Sequence, residues 1–221
     1  LMPDFQTLLI WVIPVLLAIT LHEAAHGWTA SKFGDHTARM MGRVTLNPVK
    51  HIDPVGTIIV PLALLIMSTG FIFGWAKPVP INFNALRSPK SGMIWVALAG
   101  PGANLIMAIG WLFVAILSFN NNIPIMLKMA GAGIFINILL AVFNLLPIPP
   151  LDGSRVISAL LPNPLAYKYN QLERFGFVIL IGLMFIGGFS YIVWPIVGLA
   201  LNSLSVLSGL NLISLMNYVF S

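Results

Sequence analysis

An apolar run from Phe5 to Ser31 carries two histidines and a glutamate near its end, in Leu21-His22-Glu23-Ala24-Ala25-His26-Gly27. About 27 residues of helix rise roughly 40 Å, enough to cross a bilayer with some tilt. Ionisable side chains inside such a segment are expensive and mark function. On a helix His22 and His26 stand at i and i+4, so both imidazoles leave one face. That spacing lets two ring nitrogens grip one Zn²⁺, with Glu23 one step round the helix beside the metal's open position. A carboxylate there is placed to take a proton from water. The run therefore predicts a hydrolytic metal centre inside a membrane.

The rest of the chain fits a membrane setting. Of its 221 residues 58% are hydrophobic and 8% are charged, against roughly 25% charged in a soluble domain. A polytopic membrane protein is expected. With no cysteine, disulfides and thiolate metal sites are excluded. The net charge of +5 lies in loops and suits anionic headgroups; no basic, aromatic-interleaved stretch suggests nucleic acid. The N-terminus reads as uncleaved, lacking a basic n-region and a small-residue cleavage site. One membrane domain is expected over 1–221, with its motifs in 20–160 and C-terminal helices in 173–221.

Taken in order, the first span holds Pro14, a candidate kink. Lys32 to Asp53 is polar and carries Lys32, Arg39, Arg43 and Lys50, so the positive-inside rule assigns it to the cytoplasm. Residues 41–47 (MGRVTLN) are strand-like, and Asp53-Pro54 reads as an N-cap followed by proline at the first helical position. Val55 to Trp75 is apolar but broken by Pro61, Gly70 and Gly74, and Lys77, Arg87 and Lys90 follow. A simple crossing would put these three cations outside. We therefore expect Val55 to Phe83 to enter the membrane and return, as a short helix and extended chain that is buried or faces a wet cavity. In that element 41–47 could pair with 77–83 (KPVPINF).

Gly92 to Phe119 is the next span, with Gly100-Pro101-Gly102-Ala103-Asn104 inside it. Residues 120–124 make a nearly uncharged outer turn. Ile125 to Leu146 returns and breaks at Pro147-Ile148-Pro149-Pro150, just before Leu151-Asp152-Gly153. Asp152 thus approaches the same side as His26, and Arg155, Lys168 and Arg174 agree with that side. Beyond Phe175 one span is expected, with a second after Gly187-Gly188 or Trp194-Pro195. The fold class is all-α and polytopic: five to six transmembrane helices with a short re-entrant β/extended element after the first.

Zinc catalysis of this kind needs three protein ligands and one open site. Candidates for the third are Asp35, His36, His51, Asp53 and Asp152. Asp53 is better explained as a helix cap, His36 and His51 as wet interfacial residues, and Asp35 as a turn residue after Gly34. Asp152 is favoured because a proline-broken helix delivers it at the right side and depth. Asn144 reads equally as helix glue or as a group that holds a substrate carbonyl or oxyanion. Asn104 and Asn137 lean towards glue, with substrate contact a lesser role for Asn104.

Together, HEAAHG in a membrane span, the GPGAN segment and Asn144-Leu-Leu-Pro-Ile-Pro-Pro-Leu-Asp152-Gly153 resemble the site-2 protease family of intramembrane zinc metalloproteases, in a compact form without a PDZ insertion. The resemblance implies that His22, His26 and Asp152 bind zinc, that Glu23 is the general base or acid, and that Asn144 handles substrate. It implies hydrolysis of peptide bonds in or near membrane-spanning segments, in regulated proteolysis or clearance of signal-peptide remnants. The implied partners are the bilayer and single-span membrane proteins such as anti-sigma factors. The implied location is the cell membrane, with the active site near its cytoplasmic side. The competing class is a zinc-binding membrane protein without protease activity. A transporter calls for a second polar relay on the far side, where this chain offers mainly Asn120 to Asn122 and Lys128. An inactive scaffold would lack one of the four site residues, and all four are present.

Overall fold

The computed structural model describes residues 5–67 and 74–220. Helix α1 (Phe5–Lys32) leads into the short α2 (Thr37–Met40) and α3 (Val60–Ile66). Two long helices follow, α4 (Pro89–Asn120) and α5 (Pro124–Asn144), joined by a tight turn. Then come α6 (Asp152–Leu160), α7 (Asn163–Asn170), α8 (Gly176–Phe185), α9 (Gly188–Ser208) and α10 (Leu212–Phe220).

Among the described residues α1, α4, α5 and α9 are long and apolar enough to cross a membrane. Their outer faces leave Val12, Ile106, Phe113, Leu117 and Leu199 exposed, a surface suited to lipid rather than water. The chain has the build of an integral, helical membrane protein. Of the two spans expected beyond Phe175, the first falls on α8, of ten residues, and the second, after Gly187-Gly188, on α9, which is long enough to cross. Ten residues rise about 15 Å, half the apolar thickness of a bilayer. α8 ends at Phe185, and Gly187, with φ of +72°, separates it from α9 where the glycine pair suggested.

Helices α1, α4 and α5 pack against one another and form the centre of the bundle. Ala108, Ala115, Ala130 and Ala132 are buried where they meet; such small side chains let membrane helices approach closely. Ile134 and Ile138 fill the space beside them, and α9 and α10 cover α5 with Val197 and Leu212. α6 packs on α4, which fixes the start of α6 against the bundle.

The end of α1 and the start of α4 lie side by side. Arg87 N–H donates to the Phe33 carbonyl at 2.8 Å. The cation-rich segment between these helices therefore begins and ends at one end of the bundle. Within it Asp53 Oδ1 accepts from the N–H groups of Val55 and Gly56 at 3.0 and 2.7 Å, the cap that Asp-Pro suggested. The chain then runs out through α3 and is back at Trp75, whose N–H donates to the Gly56 carbonyl at 3.1 Å. Residues 68–73 of the in-and-back element expected over Val55 to Phe83 lie outside the described residues.

No strand forms among the described residues. Residues 41–47 and 77–83 meet, but through the Arg43 side chain, which donates to the Lys77 carbonyl at 2.8 Å. The reason is the composition of the second segment. Pro78 and Pro80 have no N–H to give to a ladder, and the N–H groups of Val79 and Asn82 go to the carboxylates of Glu23 and Asp35. The two segments are irregular chain tied by side chains, not paired strands.

Candidate metal centre

The helical spacing of the HEAAH stretch brings the two imidazoles together as expected, with the Nε2 atoms of His22 and His26 3.1 Å apart. Both rings are buried, at 7% and 6% exposure. Asp152 Oδ2 stands 3.2 Å from each Nε2. Of the five candidates for a third group, Asp152 alone joins the pair in a cluster that could hold a metal, among the described residues.

The other four are used elsewhere. Asp35 is 1% exposed. It accepts from Thr37 N–H at 2.9 Å and from Asn82 N–H at 2.6 Å. Burial pushes its carboxyl up, but those bonds outweigh burial and hold it below the usual carboxylate range. Asp53 is the helix cap. His36 is exposed at the start of α2. His51 departs from its expected wet position: it is 1% exposed. The turn Pro48–His51 folds it inward, and its Nε2–H donates to the Thr45 carbonyl at 3.0 Å.

Two glycines make the cluster possible. A Cβ on Gly100 of α4 would run into His26 Nε2 and stand 2.6 Å from His22 Nε2. Gly153 plays the same part for Asp152, because a Cβ there would strike the Leu145 carbonyl at the end of α5. The glycine of the LDG motif thus seats the start of α6 against the α5 backbone.

The ring tautomers follow from their outer partners. His26 Nδ1 lies 2.7 Å from the Val96 carbonyl. A carbonyl only accepts, so Nδ1 carries the proton and Nε2 presents a lone pair. His22 Nδ1 lies 2.6 Å from Asn104 Oδ1. The orientation of that amide is fixed in turn, since Asn104 Nδ2 donates to the Ala18 carbonyl at 3.3 Å and to Asn137 Oδ1 at 2.9 Å. Asn137 Nδ2 donates to the Gly133 carbonyl at 2.9 Å. Both asparagines are fully buried. They do join helices, as expected, but the chain they form ends on a candidate ligand.

Two imidazole lone pairs and a carboxylate oxygen therefore face one point. Asp152 Oδ2 is buried with no hydrogen-bond partner among the described residues. Three acceptors arranged so repel one another unless a cation sits between them. The sides of the triangle, 3.1, 3.2 and 3.2 Å, match the edge of about 3.3 Å of a tetrahedron whose bonds are about 2.0 Å, the geometry of zinc with nitrogen and carboxylate ligands. These residues fit zinc. By rise along α1, the cluster lies roughly 10 Å inside the cation-rich end of the bundle.

Glu23 is half-buried, and its Oε2 accepts from Val79 N–H at 2.8 Å. Asn144, half-buried at the end of α5, turns its amide back to the Leu140 carbonyl at 2.9 Å. The sequence offered the histidine pair and Asp152. It did not offer Val96, which acts through its carbonyl, nor the role of Asn104, although an asparagine inside an apolar span was the available signal.

Asn104→Ala removes the acceptor that sets the His22 tautomer and strands Asn137 Oδ1. Loss of such an outer partner costs about 10- to 100-fold in metal affinity. Competition against a fluorescent zinc chelator is expected to read that loss. Unchanged affinity would return Asn104 to helix glue alone.

The profile of Peptidase family M50 matches residues 120–186. YwhC of Bacillus subtilis is 39% identical over 201 residues, covering 87% of this chain and 88% of that protein. MJ0611 of Methanocaldococcus jannaschii is 30% identical over 179 residues, covering 80% and 83%. Rip2 of Mycolicibacterium smegmatis is 28% identical over 169 residues, covering 76% of this chain and 64% of that protein. All three carry the name "putative zinc metalloprotease". No solved structure matches the chain. Extended similarity to such proteins, together with a His-His-Asp cluster fit for zinc, means that the chain belongs to peptidase family M50, the site-2 protease type of zinc metalloprotease.

Proposed function

We propose that this protein hydrolyses peptide bonds in or near the membrane-spanning segments of other proteins, from a centre near the cytoplasmic side. The observation that carries the reading is the meeting of His22, His26 and Asp152 about 10 Å inside one end of an apolar bundle. Such a depth suits a scissile bond within or just below the headgroups. The end in question gathers Lys32, Arg87 and Lys90, and the positive-inside rule makes it cytoplasmic. In this reading Val55 to Phe83 is a re-entrant element, and α8 and α10 are partial or additional spans.

His22, His26 and Asp152 are the ligands in this reading. Zinc, when bound, supplies a Lewis acid that polarises a carbonyl and lowers the pKa of water towards about 7. Glu23 removes the proton of the attacking water and returns it to the leaving amine. Asn144 holds the substrate carbonyl. A helical substrate hides its carbonyls in i to i−4 bonds, so it unwinds before it reacts. A groove of about 310 Å³ runs beside the HEAAH helix, lined by Ala24, Ala25, Trp28, Val44, Leu46 and Ala103. Its apolar walls suit an unwound apolar segment. The proposed substrates are single-span proteins, anti-sigma factors and signal-peptide remnants among them.

The test uses the purified protein in detergent or vesicles with a synthetic membrane-spanning peptide. Cleavage is expected with zinc, lost on chelation and restored by added zinc. Zinc bound at full stoichiometry without cleavage of any membrane segment would favour a non-proteolytic zinc protein instead.

A further inference from the structure

We propose that the extended segment Lys77–Pro80 is a positioning strap for Glu23, with Val79 giving the contact and Arg43 fixing the strap. The proposal rests on the role assigned to Glu23 above and adds the groups that aim it.

The strap is built to present one hydrogen bond. Pro78 and Pro80 have no N–H, so Val79 supplies the lone backbone donor in three residues. That donor goes to Glu23 Oε2 at 2.8 Å. Among the described residues Glu23 Oε1 accepts nothing, so one oxygen is held and the other is free to meet water. A glutamate on a helix has several rotamers of similar energy. An unheld base would spend much of its time misaimed, and catalytic geometry tolerates little of that.

The strap is itself held on every side. Lys77 N–H donates to the His51 carbonyl at 2.9 Å, and Asn82 N–H to Asp35 Oδ2 at 2.6 Å. Arg43 Nη2 donates to the carbonyls of Lys77 and Pro78 at 2.8 and 3.3 Å. The Val79 side chain is 6% exposed. It packs with Val44 over Gly27, one helical turn beyond Glu23, where a Cβ would stand 2.9 Å from Val44 and 3.1 Å from Val79.

Arg43 is the unusual member. It is 8% exposed, its Nε has no partner among the described residues, and no carboxylate there pairs with it. A buried guanidinium without a counter-charge is costly. Its hydrogen bonds go to the two carbonyls immediately before the Val79 N–H. The cost is understandable if the orientation of that N–H matters.

The test compares Val79→Pro with Val79→Ala. Both lose the packing of the valine, but only proline loses the N–H. Residue 79 already precedes Pro80 and is biased to extended backbone, so a third proline fits the chain. The chain has two glutamates, Glu23 and Glu173, and Glu173 pairs with Arg155 on other elements. Glutamate labelled with ¹³C at Cδ therefore gives two carboxylate resonances, assigned by Glu173→Gln.

Val79→Pro is expected to move the Glu23 resonance and to lower kcat about 10- to 100-fold, with KM and zinc content unchanged. Val79→Ala is expected to leave the resonance in place and kcat within about threefold. Arg43→Gln should follow the proline variant and Arg43→Lys should restore part of the loss. An unmoved resonance in Val79→Pro, or equal behaviour of the two Val79 variants, overturns the strap. If no membrane peptide is ever cleaved, the resonance still decides the strap, and the protease reading fails separately.

Discussion

Glu23→Gln is expected to keep a full equivalent of zinc and to lose hydrolysis by about 10²- to 10⁴-fold, the usual share of a positioned general base. The substitution is nearly isosteric. The amide oxygen can still accept from Val79 N–H, which Glu23 Oε2 accepts in the parent at 2.8 Å. The metal cluster is untouched, since its atoms belong to His22, His26 and Asp152. What disappears is the ability to take a proton from water and return it to the amine. Elemental analysis beside cleavage of a membrane-segment peptide checks both halves. Turnover at the parent rate with zinc in place would remove Glu23 from the chemistry.

Gly100→Ala is expected to abolish zinc binding. Its methyl group would occupy the space of the His26 and His22 ring nitrogens, and a packed interior has no slack to absorb it. Losing an outer partner of a ligand costs about 10- to 100-fold in affinity, so displacing two ligands should cost more than about 100-fold. The control is two residues away. A Cβ on Gly102 meets nothing within 4 Å, so Gly102→Ala should keep zinc and activity. Both changes favour the helix by about 1 kcal/mol in propensity, so a difference between them reads the site and not the helix. Metal stoichiometry and thermal stability of the two variants side by side give the answer. Full zinc occupancy in Gly100→Ala would mean that the metal does not lie between these rings.

Several features were written locally. The pairing of His22 with His26 depends only on helical periodicity, and it stands in the structure at 3.1 Å between ring nitrogens. The membrane character depends on runs of apolar residues, and four helices carry it among the described residues. Charge parity argued that the segment between α1 and α4 starts and ends on one side, and the Arg87 to Phe33 bond agrees with that path. Asp53-Pro54 marked a cap because capping needs only neighbouring residues.

Other features belong to no local window. Asp35, His36, His51, Asp53 and Asp152 all offered suitable donors, and only the packing of α6 on α4 brings one of them to the histidines. The strand-like pattern of 41–47 and 77–83 suggested a ladder. The tertiary surroundings offered the N–H groups of 79 and 82 two carboxylates instead, and prolines removed the alternative. Asn104 read as glue because its partner, 82 residues away, was invisible along the chain.

Periodicity, composition and capping are short-range and additive along the chain, so the sequence by itself determined an apolar helical protein with a paired-histidine candidate metal site in its first span. Which carboxylate joins that pair, which amide bonds to it and which backbone N–H meets its glutamate depend on helices meeting at a few ångströms. Only the tertiary structure decided those, because close packing is set by every contacting side chain at once.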